Sequence, residues 1–63
     1  MSTATIWRDG PVSVESEKPR IGEAQPIYWL VAPDLRRAYG PNKDKAINAA
    51  KRRAAQLKKE NLR

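Results

Sequence analysis

The residues best able to do chemistry in this sequence are cations, and they recur at helical spacing. Lys45, Arg52, Lys59 and Arg63 follow one another at intervals of 7, 7 and 4. At 100° per residue these intervals place all four on one side of an α-helix. Lys51 and Lys58 would form one shoulder of that row and Arg53 the other. A cationic row of roughly 20–27 Å has the dimensions of a phosphate-contacting face. Only Asn48 and Gln56 lie near it as side chains able to read a base edge, and no aromatic does. Binding through such a row would weaken with salt and show little sequence choice. The same row would also serve as an ordinary solvated helix face.

The charge distribution points to the same stretch. The chain has 63 residues, with 13 Lys or Arg against 7 Asp or Glu, a net +6. Residues 42–63 hold eight of the cations and two of the anions, so the whole net charge lies there. Anionic partners follow from this balance: nucleic acid, an acidic protein surface or anionic lipid.

Catalytic chemistry has little to stand on. The chain contains neither Cys nor His, which removes disulfides and nearly removes a zinc site. Gly10, Gly22 and Gly40 are isolated, so there is no glycine-rich phosphate loop. Ser2, Ser13 and Ser16 have no general base nearby in sequence, and Glu15, Glu17 and Glu23 lie in or beside a polar loop. A core this small offers no pocket to shift their protonation. We therefore expect a non-enzymatic protein with no cofactor and no metal. No run approaches the ~20 apolar residues of a membrane span, and Met1–Gly10 has no signal-peptide pattern. A soluble, cytoplasmic protein is expected.

The elements that must position the cations can be read in chain order. Residues 1–63 are expected to form one small domain, with a sheet region over 4–41 and the basic helix over 42–63. Ala4–Arg8 is rich in β-branched and aromatic residues, Asp9-Gly10 is a turn dipeptide, and Pro11–Glu15 alternates as a half-buried strand. A hairpin and a single bent extended segment both fit. Residues 16–26 carry two prolines and a glycine and read as a long loop, with Ile21 as an anchor onto the core. Ile27–Ala32 is the most apolar run and the clearest strand. Ile27, Trp29 and Val31 share one of its faces, and Tyr28, Leu30 and Ala32 the other.

Pro33-Asp34 suits a type I turn leading to a return strand over residues 36–39. It also suits the first turn of a short helix closed by Gly40. The turn and strand are favoured, because a central strand needs a neighbour. Asn42 is a good N-cap, Asp44 complements the positive end of the helix dipole, and Lys58 and Lys59 the negative end.

On the helix, Ile47, Ala50, Ala54 and Leu57, with Ala46 beside them, form the apolar stripe. It is mostly alanine and buries little area, so Trp7, Val12, Val14, Ile27, Trp29 and Val31 are expected to supply the bulk of the core. Tyr28 and Leu30 would then remain on the uncovered face. A chain of this length has a thin stability margin, which points to homodimerisation as a further source of stability. The expected fold is α+β: an antiparallel sheet of about three strands, packed on one face by one long C-terminal amphipathic helix.

The order of aromatic strand, turn, basic return strand, then Lys43-Asp44-Lys45-Ala46 opening a long helix resembles a known pattern. With Trp29, Gly40 and Ala50, these residues resemble the three-stranded-sheet-plus-helix domains with which phage integrases bind arm-type DNA sites. They are similar also to short phage and bacterial proteins with a β-β-α ending. The resemblance covers under half of the chain. It implies a sheet that enters the major groove, and hence roles for Arg36, Arg37 and Arg8. Here, by contrast, most cations lie on the helix.

Two functional expectations result. The first is a nucleic-acid-binding protein that contacts the backbone through Lys45, Lys51, Arg52, Lys59 and Arg63, joined by Arg36 and Arg37. The second is a protein-binding module of a phage or mobile element, such as an inhibitor of a host defence protein. It would dock through Tyr28, Leu30, Tyr39 and the 16–26 loop, with helix charge steering it to an acidic surface.

Overall fold

The structure is a computed structural model and describes residues 3–19, 21–22 and 24–61. It consists of β1 (Thr3–Asp9), β2 (Val12–Glu17), β3 (Ile27–Ala32), β4 (Leu35–Ala38) and α1 (Lys43–Asn61). The four strands form one antiparallel sheet in the order β1-β2-β3-β4, and α1 covers one face. The class is the expected α+β, with four strands where about three were anticipated. The extra strand comes from a true hairpin over Thr3–Glu17.

Two short turns set the register. Asp9 pairs with Val12 across Gly10-Pro11, and Gly10 has φ +61°. Positive φ at the first central residue, followed by a proline, is the type II′ arrangement, whose twist matches that of the flanking strands. Ala32 pairs with Leu35 across Pro33-Asp34, with no positive φ at either residue, as a type I turn requires. The return strand expected after Pro33-Asp34 is therefore β4. Its pairing continues past Ala38, where Tyr39 N donates to Tyr28 O and Tyr28 N to Gly40 O, each at 2.8 Å.

Register decides which face meets the helix. Val14 lies opposite Leu30, and Leu30 opposite Arg37, so these three share a face. Val12, Val14, Leu30 and Ala32 are buried with Ala46, Ala50 and Ala54 of α1. Trp7, Tyr28, Tyr39, Ile47, Ala49 and Leu57 pack around them. The face assignment expected for β3 is thereby reversed. Leu30 is only 2% exposed, while Ile27, Trp29 and Val31 occupy the uncovered face and supply no core bulk.

The physical reason lies in the helix. An alanine stripe buries well only if backbones approach closely, and small or medium side chains on the facing strands permit this where Trp29 would hold the helix away. β1 fits its bulk by a bulge: register shifts between Thr5 and Trp7, which turns Trp7 to the helix side opposite Val14. Ile21 is 107% exposed, so it is no anchor and the loop is not pinned through it.

The helix begins as expected. Lys45 N donates to Asn42 Oδ1 at 3.1 Å and Ala46 N to Asn42 O at 3.2 Å, which makes Asn42 the N-cap.

Candidate nucleic-acid interface

The cations of α1 divide into three groups according to what stands beside them. Lys58 Nζ donates to Asp9 Oδ2 at 2.8 Å, and Arg53 pairs with Asp34. Both ion pairs join the helix to a β-turn at the same end of the sheet, one on each shoulder. Lys51 lies seven residues before Lys58 and so shares its shoulder, on the β1 side. Lys45, Arg52 and Lys59 are exposed on the outer side of the helix, with Lys45 and Arg52 turned toward the shoulder on which Arg53 lies. Arg63 lies outside the described residues.

Between the N-terminal half of α1 and the segment after β4 runs an open groove of about 640 Å³. Its walls are Lys45, Asn48, Ala49 and Arg52 from the helix, Tyr39 from the strand side, and Asn42 with Asp44 at the helix start. The local cause is the short connection. β4 ends at Ala38, Gly40 adopts φ +65°, and the chain turns directly into the Asn42 cap. Tyr39 is thereby held against the first helical turns, because its N–H remains bonded to Tyr28 O. The Arg37 guanidinium lies 5.5 Å from the centre of the Tyr39 ring, close enough for a cation–π contact.

This arrangement brings together Lys45 and Arg52 with Tyr39 and Arg37, four residues from two separate elements. An aromatic does flank the cationic row, contrary to the expectation from the helix projection alone. The signal was in the sequence: only Gly40 and Pro41 separate Tyr39 from the Asn42 cap, which leaves Tyr39 little freedom to lie elsewhere.

Arg36 does not belong to the set. It lies opposite Val31 on the uncovered face, where its guanidinium sits 5.0 Å from the Trp29 ring centre. Strand alternation sends Arg36 and its neighbour Arg37 to opposite faces. Nor do the residues expected to dock a protein partner form one surface. Leu30 lies beneath the helix, Tyr28 packs at the edge of the core, and Tyr39 lines the groove.

The uncovered face is mixed in charge. Arg8 and Arg36 stand there with Glu15 and Glu17. A sheet carrying two carboxylates would meet phosphate repulsion in a major groove, whereas among the described residues the helix-side groove has one carboxylate, Asp44.

The chain matches no protein-family model, no curated protein and no solved structure. Its functional reading therefore rests on this geometry. Among the described residues, no helix is long and apolar enough to cross a membrane.

Proposed function

We propose that the protein binds nucleic acid non-enzymatically, through the groove between α1 and the end of β4. The observation that carries this reading is the convergence of Lys45, Arg52 and Tyr39 on one open groove, with Arg37 stacked beside it. Lys45 and Arg52 are seven residues apart, about 10 Å along the helix, a distance suited to phosphates on one backbone. Lys59, one further repeat along, extends the track to about 20 Å. Asn48 and Tyr39 add a polar and a stacking contact, which give modest preference for exposed bases and no sequence code. Arg53 and Lys58 are occupied by Asp34 and Asp9 and contribute to the surrounding field.

The reading keeps the nucleic-acid partner implied by the integrase-type resemblance and places contact on the opposite side of the sheet. Titration of labelled duplex and single-stranded oligonucleotides by fluorescence anisotropy tests it. With about four phosphates engaged, affinity for duplex falls roughly 10²-fold between 50 and 200 mM salt. Arg52→Glu with Lys59→Glu abolishes binding, and Arg8→Ala, on the uncovered sheet face, preserves it. No binding of either oligonucleotide at low salt overturns the reading. Loss of binding in Arg8→Ala would move the interface to the sheet.

A further inference from the structure

The uncovered face of the sheet has an ordered pattern that the nucleic-acid reading does not use. Ile27, Trp29 and Val31 form an apolar column along β3. On one side stands an acidic column, Glu15 and Glu17 of β2, and on the other the basic Arg36 of β4. Trp29 lies between them, donating from Nε1 to Glu17 Oε2 at 3.0 Å and lying under the Arg36 guanidinium. Thr3 Oγ1 donates to Glu15 Oε1 at 3.1 Å and holds that carboxylate on the same face.

An acid–apolar–base sequence across three neighbouring strands is self-complementary under one particular symmetry. A two-fold axis in the plane of the interface, running along β3, leaves the apolar column facing itself. The same axis brings the acidic column of each copy over β4 of the other, where Arg36 stands beside Ala38. An axis across the strands would instead set carboxylate against carboxylate. We propose that this face joins a second copy of the chain, with the two sheets stacked about an axis along β3.

The geometry is within reach of the side chains. Glu15 is level with Trp29 and Ala38, and Arg36 is level with Val31 and Ser13, a step of two residues or roughly 7 Å along the strand. Stacked sheets lie about 10 Å apart, which an extended arginine and glutamate together span. Nucleic acid is disfavoured on this face, because Glu15 and Glu17 flank its apolar column. About this axis β2 to β4 overlap, three short strands or roughly 15 Å by 20 Å at ordinary strand spacings, which is small beside a standard interface of roughly 800 Å² per partner. Association is therefore weak and concentration-dependent.

Sedimentation equilibrium of the full chain, from about 10 µM to about 1 mM, tests the proposal in the range such an interface populates. The apparent mass should rise from one chain toward two. Glu15→Lys alone and Arg36→Glu alone should each weaken association at least about tenfold, since each sets like charges face to face. An equimolar mixture of the two variants should recover it, because both cross-pairs are then opposite in charge. Dilution of the unaltered chain followed by NMR provides a readout that needs no variant. The Trp29 indole N–H and Val31 methyl signals should shift, and those of Ala50 should not. A single-chain mass throughout, a dimer indifferent to both reversals, a mixture that fails to recover, or dilution shifts at Tyr39 and Arg52 instead would overturn the proposal.

Discussion

Lys58 Nζ and Asp9 Oδ2 lie 2.8 Å apart, joining the last turns of α1 to the β1–β2 turn 49 residues earlier in the chain. Arg53 and Asp34 make the matching link to the β3–β4 turn, 19 residues away. The two pairs flank the alanine stripe and fix the rotation of the helix on the sheet. They also decide which cations remain available to a partner.

Both pairs are partly solvated, with Lys58 62% and Asp34 60% exposed. Each should contribute about 0.2–1 kcal/mol, less at high salt. Arg53 Nε is buried without a hydrogen-bond partner among the described residues, which offsets part of the gain from that pair. Double-mutant cycles of Arg53→Ala with Asp34→Ala, and of Lys58→Ala with Asp9→Ala, followed by urea unfolding, measure these couplings. A coupling above about 2 kcal/mol would contradict their partly solvated character.

Asn42 caps α1 through its side-chain oxygen and the Lys45 N–H. Asn42→Ala should cost about 1 kcal/mol, while Asn42→Asp or Asn42→Ser should be nearly neutral. Thermal melts by circular dichroism rank the three. Equal melting temperatures would remove the cap from the account of helix stability.

The reversed faces of β3 separate two neighbouring residues. Leu30→Ala should cost about 2–5 kcal/mol, because Leu30 is buried under the helix. A chain of this length has roughly 3–9 kcal/mol in total, so the variant should lose a large share of its stability. Val31→Ala, on the uncovered face, should cost less than about 1 kcal/mol at micromolar concentration. The opposite ranking in urea unfolding would mean that the helix covers the other face.

The alanine stripe depends on close approach. Ala50 is fully buried, so Ala50→Leu should destabilise by about 1–3 kcal/mol through overpacking. Ala55 is exposed, and Ala55→Leu should fall within about 0.5 kcal/mol of the parent. Chemical denaturation of the two variants is a direct comparison of the same substitution in one helix.

Much of the fold was legible because its signals are local. The type I turn at Pro33-Asp34, the Asn42 cap and the alanine-rich helix follow from backbone preferences at those positions. The facing of β3 was not legible from β3 itself. Both of its alternating sets, Ile27-Trp29-Val31 and Tyr28-Leu30-Ala32, are apolar, so periodicity gives no direction. The information lay in β2, where Val12 and Val14 alternate with Ser13 and Glu15, and in the antiparallel register that sets Val14 against Leu30. For the site, the row of Lys45, Arg52 and Lys59 was readable from spacing. Its neighbour Tyr39, the separation of Arg36 from Arg37, and the pairing of Arg53 and Lys58 were settled by the fold.

The sequence by itself determined the central strand β3, the long helix with its Asn42 cap, and the concentration of positive charge on that helix, since each depends on residues within a few positions of one another. Only the tertiary structure decided which sheet face is covered and which cations face a groove. Those outcomes depend on close packing of an alanine stripe and on ion pairs between residues 19 and 49 positions apart, where the chain's local preferences carry no information.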